Sequence, residues 1–211
     1  MNLLQNIREI NKKYFYVLLI EIASTALYPL TNRPIGFVRN LTLPWDAKIP
    51  LIKEFLLIYH ISYPFMYFNL FLFLILYKDV FVKGALSIAL GNVLAFFTFF
   101  LYQTEVPRPD VLGNDLFSRM LRITYENDMP YNGFPSLYIL TTTIIITAIL
   151  SSKSNKGYKI FSTVLCILIF LSTLFVKQYT LLDVVGGMVY GSVSYIFVSY
   201  VIKLKSKNMN I

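Results

Sequence analysis

The sequence predicts an all-α protein of the polytopic membrane class, a single bundle of six transmembrane helices in which residues 1–211 form one domain. Of its 211 residues, 56% are hydrophobic and only 14% are charged, whereas soluble domains carry about 25% charged residues. The mean hydropathy is +0.61. Long apolar runs recur along the chain, and basic residues are concentrated in alternate connections between them. These observations exclude a separate soluble domain.

Six apolar runs define the predicted spans, at residues 14–30, 55–77, 84–102, 138–152, 160–176 and 184–202. Each is long enough, or nearly so, for a hydrocarbon core that needs about 20 helical residues. The first, fourth and fifth are short. The polar N-terminal stretch before them has no small-residue cleavage site, so no removable signal peptide is expected.

The distribution of charge predicts the orientation. With the N-terminus inside, the inner segments hold eleven basic and two acidic residues, and the outer side holds eight basic and nine acidic. Basic residues in short inner segments indicate cytoplasmic termini, so we expect both ends in the cytoplasm of a bacterial plasma membrane. The inner charged residues are Arg8, Glu9, Lys12, Lys13, Lys78, Asp79, Lys83, Lys153, Lys156, Lys159, Lys203, Lys205 and Lys207. This distribution explains the net charge of +8 as an orientation signal, so no nucleic-acid partner is predicted. A patch at the C-terminal lysines that binds anionic lipid is the weaker alternative.

Three residues within the apolar runs bear on function. Glu21 is an intramembrane carboxylate, which is costly unless paired or near a polar cavity, and functional and structural roles stay equally open. His60 is the only histidine, so a packing role is favoured and no metal site or cofactor is predicted. Cys166 is the only cysteine and is interpreted as a small buried hydrophobe.

The longest stretch without sustained apolar character is residues 103–137, which the predicted topology places on the outer side. It begins with a Pro-Arg-Pro sequence that holds Arg108 on stiff backbone. It ends with Pro135 just ahead of an apolar run, where proline at the first helical position leaves a positive-ended anion site. Between them, residues 114–125 have the spacing of a short amphipathic helix. The stretch therefore indicates half of a phosphate cradle.

The other half is predicted after the fifth span. Lys177 follows that span, and Tyr179 and Asp183 lie four residues apart, a spacing that puts phenol and carboxylate on one helical face. Gly187 and Gly191 form a small-xxx-small pattern, which predicts close packing of the sixth span on a neighbour.

These outer motifs, Val-Pro-Arg-Pro, Phe-Pro-Ser-Leu-Tyr and Ser172 followed by Lys-Gln-Tyr and Asp183, resemble in order and spacing the type-2 phosphatidic acid phosphatase superfamily, especially its inositolphosphotransferase-like branch. The resemblance covers about half of the chain. It implies that Arg108 and Ser136 bind phosphate and that Asp183 is the acid that orients the nucleophile. Lys177, one turn from the position of the family's third-motif arginine, is expected to supply a cation in its place.

That family has two catalytic histidines, one in the second motif that protonates the leaving oxygen and one in the third motif that attacks phosphorus. The sequence departs from the family at both positions, which are Tyr138 and Tyr179 here. The family's lysine before the motif arginine falls on Leu101, and the arginine of its third motif falls on Thr173. A tyrosine with a pKa of about 10 is ionised in only about one molecule in a thousand at pH 7, and the Asp183 charge is expected to oppose ionisation of Tyr179 further.

We therefore favour a catalytically impaired relative, a pseudoenzyme, that binds phosphorylated lipid head groups on the outer face. One alternative is an active hydrolase or phosphotransferase on phosphatidic acid, prenyl diphosphate or phospholipid head groups, with Tyr179 as nucleophile or His60 brought into the site. A purely structural membrane protein is the third. The lipid and the oligomeric state are left open.

Overall fold

The helices predicted from the apolar runs make up most of the fold. The computed structural model describes residue 10 and residues 12–208; Arg8, Glu9 and the final three residues lie outside this part. In chain order the helices are α1 (Lys12–Thr25), α2 (Tyr28–Thr31), α3 (Leu56–Leu76), α4 (Lys78–Leu101), α5 (Leu116–Asn127), α6 (Leu137–Ser151), α7 (Lys156–Phe175) and α8 (Leu181–Asn208). Two short strands, β1 (Arg39–Asn40) and β2 (Thr104–Glu105), pair in parallel. The predicted helical class is confirmed.

Five helical segments of the described chain are long and apolar enough to cross a membrane, judged by length and composition. They are Lys12–Thr31, Lys53–Leu76, Lys78–Leu101, Lys156–Phe175 and Leu181–Asn208. The fourth predicted span corresponds to α6, which has 15 residues. A helix of that length rises about 22 Å, less than a hydrocarbon core of about 30 Å. The six-span topology therefore stays a prediction.

Helix α6 lies at the centre of the bundle. It packs against α3, α4, α7 and α8, and residues 139–145 are all buried. A run of seven consecutive buried residues covers every face of a helix with 3.6 residues per turn. The apolar character of α6 therefore serves packing within the protein.

The helices differ in their bounds from the predicted spans, and the differences at the third and first spans have clear physical reasons. The third was expected at residues 84–102, but α4 begins at Lys78, because its first turns carry charged side chains that lower the hydropathy without breaking the helix. The first was expected as one helix over residues 14–30. Instead α1 ends at Thr25 and α2 begins at Tyr28, with Pro29 in its first turn, where proline is tolerated.

Close packing of α8 on α6 confirms the prediction from the two glycines. A Cβ atom on Gly187 would lie 2.6 Å from the Ser136 carbonyl oxygen, and one on Gly191 would lie 2.6 Å from the Leu140 carbonyl oxygen. Only glycine permits so close an approach of a helix to neighbouring backbone. This contact sets the position of Asp183 relative to the start of α6.

Hydrogen bonds anchor the start of the polar stretch at residues 103–137 and cap the helix within it. The Gln103 side chain donates hydrogen bonds of 2.8 Å to the carbonyl oxygens of Thr31 and Arg33, and accepts one of 2.9 Å from the Ile35 amide. Further on, Asp115 caps α5 by accepting from the Ser118 amide at 3.2 Å. Helix α5 lies two residues beyond the predicted range of 114–125. Lys53, in the segment before α3, donates to the side chains of both Asp115 and Ser118 and so ties the start of α5 to the bundle.

Candidate functional site

A cavity of about 530 Å³ opens between α2, α3, α5 and the start of α6. Aromatic rings form much of its wall. Tyr138 is stacked on Tyr59 with ring centroids 4.3 Å apart, and Tyr63 meets Tyr138 edge-on at 4.7 Å. The lining residues are Tyr28, Pro29, Asn32, Tyr59, His60, Tyr63, Met120, Ile123, Thr124, Asn127, Asp128, Leu137, Tyr138 and Tyr179. We call this space the aromatic cavity.

Asp128 supplies the carboxylate of the aromatic cavity. Its Oδ1 atom accepts hydrogen bonds from the Tyr28 hydroxyl at 2.7 Å and from the Asn32 amide group at 2.8 Å. Burial raises the pKa of the Asp128 carboxyl, an effect partly offset by the Tyr28 hydrogen bond and by the charge of Arg108. The carboxylate therefore lies in a partly desolvated position, where an additional positive charge would stabilise it.

A second cavity of about 460 Å³ adjoins the first, and Tyr179 lines both. We call it the basic cavity because Arg108 and Lys177 line it, together with Asp46. Both oxygens of Asp46 accept from backbone amides, Oδ1 from Leu181 at 2.8 Å and Oδ2 from Leu43 at 2.7 Å. The side chains that line this cavity therefore carry two positive charges and one negative charge.

Arg108 is held on three sides. Its Nη1 donates to the carbonyl oxygens of Tyr125 at 3.0 Å and Asp128 at 2.5 Å, and its Nη2 donates to Gln178 Oε1 at 2.5 Å. The guanidinium also lies over the Tyr125 ring, 4.6 Å from its centroid. Its Nε is buried and has no hydrogen-bond partner in the described chain. Since a guanidinium has five N–H donors and three are used here, one donor on Nη2 remains for an anion besides the buried Nε.

Lys177 owes its position to the turn that follows α7. Its φ of 53° lies in the left-handed region that favours glycine, which identifies a tight turn at the helix end. Its Nζ donates to the carbonyl oxygens of Asp46 at 2.9 Å and Ile49 at 2.5 Å, so one of its three donors remains. Burial lowers the pKa of Lys177, and the Asp46 charge acts in the opposite direction.

Asp183 does not orient Tyr179, contrary to the role implied for it. Its Oδ2 accepts from the Thr180 amide at 2.7 Å while Thr180 Oγ1 accepts from the Asp183 amide at 3.4 Å, a reciprocal capping arrangement at the start of α8. The helical spacing argument fails because α8 begins at Leu181, leaving Tyr179 outside the helix. The other oxygen, Oδ1, is buried and unpartnered among residues 12–208.

Ser136 caps the central helix. It is fully buried, and its hydroxyl oxygen accepts from the Ile139 amide at 3.3 Å, while its own amide donates to the Asp183 carbonyl at 3.1 Å. The sequence predicted Pro135 at the first helical position. In the structure Pro135 instead precedes the capping residue, and α6 begins at Leu137. Phosphate binding by Ser136 stays a prediction.

The predicted residues are divided between two cavities instead of surrounding one pocket. Arg108 and Lys177 line the basic cavity, Tyr138 lines the aromatic cavity, and Tyr179 lies between them. The Tyr138 and Tyr179 rings are 5.9 Å apart. Ser136 and Asp183 are buried and belong to the lining of neither cavity.

The environment of Tyr179 disfavours phenolate. Burial raises its pKa well above the usual value, and the neighbouring tyrosines and Asp128 add to this. The carboxylate expected to oppose ionisation was Asp183; the structure assigns that effect to Asp128. At neutral pH Tyr179 is therefore a poor nucleophile.

Four residues that sequence reasoning missed contribute to the aromatic cavity: Tyr28, Tyr59, Tyr63 and Asp128. The spacing of Tyr59 and Tyr63, four residues apart, was the available signal because it places both on one helix face. His60 also lines this cavity, with Nε2 3.1 Å from Thr124 Oγ1. The part of the chain that the structure describes contains no cluster of metal-binding side chains.

Glu21 lies apart from both cavities. It is buried in α1, where Oε1 accepts a hydrogen bond from Thr25 at 3.2 Å and Oε2 has no partner within the described range. The choice between its functional and structural roles stays open.

No family model matches the chain, and no curated protein matches it. Among solved structures, the crystal structure of Aquifex aeolicus LpxE is similar, with a TM-score of 0.52 and 21% sequence identity. The similarity covers 83% of this chain and 94% of that chain. The two proteins therefore share a fold.

Proposed function

We propose that this chain is a lipid-phosphatase-like membrane protein that binds phosphate or diphosphate lipid head groups on its extracytoplasmic face and has lost most of the parent chemistry. The shared fold with LpxE, a lipid phosphatase, supports the first part. The motifs around Arg108, Ser136 and Asp183 support descent from the type-2 phosphatidic acid phosphatase superfamily, through its inositolphosphotransferase-like branch.

The observation that carries the proposal is the pairing of Tyr138 and Tyr179 with a buried, unsatisfied Asp183. The two rings are 5.9 Å apart, and the motif resemblance aligns these two positions with the family's two histidines. A buried polar atom without a partner is costly, and natural proteins retain few of them. Asp183 Oδ1 is such an atom. In the family that the motifs resemble, a histidine stands at the position of Tyr179, and its imidazole N–H would donate a hydrogen bond to this oxygen.

The basic cavity supports anion binding. Arg108 and Lys177 face it with part of their donors unused, and neither is paired with a carboxylate at ion-pair distance in the described structure. Charge-assisted hydrogen bonds from such groups to a phosphate are stronger than neutral ones. A phosphate monoester would therefore be held beside Tyr179.

The active-enzyme alternative would require a nucleophile that the site does not activate. Nucleophilic side chains are activated by an adjacent base or by a lowered pKa, and the pKa of Tyr179 is raised. His60 is separated from the basic cavity, because it lines only the other one. The structural alternative leaves the unused donors of Arg108 without a role.

The proposed site depends on the orientation of the six-span arrangement, in which both termini are cytoplasmic. Single cysteines at exposed Asp110 and Lys153 test it, since endogenous Cys166 is buried. An impermeant maleimide should label D110C and not K153C in intact cells, and both after lysis. Labelling of K153C alone in intact cells would show that the protein has the opposite orientation and that the predicted topology is wrong.

Binding tests the proposal directly. We expect Arg108→Gln to weaken binding of phosphatidic acid vesicles by the full-length protein by about tenfold or more, because a charged hydrogen bond contributes roughly 1.5–3 kcal/mol. Arg119→Gln, an exposed arginine on α5, is the matched control and should bind normally.

Arg108→Lys retains the charge and should show an intermediate affinity. Circular dichroism must show that the variants keep their helices, since Arg108 also bonds backbone carbonyls. Equal affinity of Arg108→Gln and the unchanged protein, with both folded, would refute the basic cavity as the phosphate site.

A further inference from the structure

We propose that the aromatic cavity binds a quaternary ammonium group, such as the cationic end of a choline head group. This ligand is different from the phosphate assigned to the basic cavity. The ammonium site stands on its own geometry. Only the step from a free cation to a lipid head group rests on the proposed function.

The first argument is the composition of the wall. Five tyrosine rings line this one cavity, and Tyr138 contacts two of the others, Tyr59 and Tyr63. Aromatic faces attract a cation through the negative face of the ring, and groups of such faces form the cages that recognise quaternary ammonium ligands. The volume of about 530 Å³ is within the range of small-molecule sites.

The second argument is charge. Asp128 places a carboxylate on this wall, and no Lys or Arg of the described chain lines the cavity. Both hydrogen bonds to Asp128 go to Oδ1, which leaves Oδ2 without a hydrogen-bond donor among the described residues. Arg108 contacts the Asp128 backbone carbonyl and forms no ion pair with this carboxylate. The cavity therefore has an acidic group available to a cation.

The third argument selects a quaternary over a primary ammonium. A primary ammonium carries three N–H donors that need acceptors, and the cavity offers mainly rings and the apolar side chains of Pro29, Met120, Ile123 and Leu137. A trimethylammonium group has no N–H to satisfy and presents methyl groups to such walls. Its charge still interacts with Asp128 and with the tyrosine faces.

The position of the cavity connects it with phosphate binding. Tyr179 lines both cavities, so a cation in one and a phosphate in the other would lie on either side of a single residue. A zwitterionic head group carries these two charges on adjacent parts. A lipid with a phosphocholine group would therefore fit both cavities together.

Calorimetry on the full-length protein in maltoside micelles tests the ammonium site. Choline and tetramethylammonium should bind, and 3,3-dimethylbutan-1-ol, the neutral isostere of choline, should bind at least about tenfold more weakly because it lacks the charge that rings and carboxylate attract. Asp128→Asn should lower choline affinity by about tenfold. Asp110→Asn, an exposed carboxylate of the same stretch, should leave it unchanged.

A second pair of variants keeps the test decisive if Asp128→Asn does not fold. Tyr63→Phe retains the ring face and should retain choline affinity, whereas Tyr63→Leu removes it and should lose affinity severalfold or more. Equal binding of choline and its neutral isostere, or unchanged affinity in Tyr63→Leu, would overturn the proposal.

Competition identifies the source of the ammonium group. Displacement of choline by short-chain phosphatidylcholine, and not by short-chain phosphatidylglycerol, is expected for a lipid head group. Displacement by phosphocholine alone would keep the ammonium site and assign it to a soluble ligand. Failure of choline to bind while Arg108-dependent phosphate binding persists would reject this inference and leave the proposed function intact.

Discussion

Replacing Tyr138 and Tyr179 together by histidine should raise the rate of phosphate release from phosphatidic acid or prenyl diphosphate by about 10²-fold or more. An imidazole with a pKa near neutrality can act as acid or base, and positioned acid–base catalysis contributes roughly 10²–10⁴-fold. At position 179 it would also offer a donor to the unsatisfied Asp183 Oδ1. Phosphate release by purified protein measures the effect.

The single histidine variants serve as controls and should each show little gain, because a nucleophile and its acid act as a unit. Rapid release by the unchanged protein that Tyr179→Phe abolishes would instead establish a tyrosine nucleophile. No gain in a folded, phosphate-binding double variant would indicate that the site is also disabled by the loss of the family's lysine, at Leu101, and of its arginine, at Thr173. Leu101 is 74% exposed and lies outside both cavities, and Thr173 is fully buried, so neither can contact a ligand in these cavities.

Gly187→Ala should destabilise the protein by about 1–3 kcal/mol, the usual cost of overpacking. Alanine is favoured over glycine inside a helix by roughly 1 kcal/mol, so helix propensity alone predicts the opposite sign. The clash decides, because the new methyl would lie 2.6 Å from the Ser136 carbonyl oxygen and 2.7 Å from Ile139 Cβ. Thermal unfolding in detergent, followed by circular dichroism, measures the change.

Gly36→Ala is the matched control, since a methyl group there would meet nothing within 4 Å. Its unfolding temperature should stay close to that of the unchanged protein. If Gly187→Ala unfolded at the same temperature as this control, α8 would have room to move away from α6. The predicted pairing of their backbones would then be wrong.

The apolar runs identified the helices with useful accuracy. Every predicted span coincides with a helix or, for the first, with two. The errors occur where the limits of an apolar run are not the limits of a helix. The charged first turn of α4 extends a helix beyond its apolar part, and the break between Thr25 and Tyr28 is made of apolar residues, so hydropathy does not reveal it.

The candidate site was predicted less completely, for a geometrical reason. Spacing rules apply within a regular element, and Tyr179 and Asp183 were assigned to one helix face although α8 begins between them. The same limitation hid Asp128, whose partners Tyr28 and Asn32 are about a hundred residues away along the chain. No local pattern reports such contacts.

By itself, the sequence determined the helical class, the apolar segments and the tight approach of Gly187 and Gly191, and it placed tyrosines where the family that its motifs resemble has histidines. These are properties of composition, periodicity and motif order. The tertiary structure alone decided that Arg108 and Lys177 line one cavity, that tyrosines and Asp128 line another, and that Asp183 caps a helix. Which side chains share a cavity depends on how helices distant in sequence pack, because the packing brings residues from widely separated segments of the chain together around Tyr179.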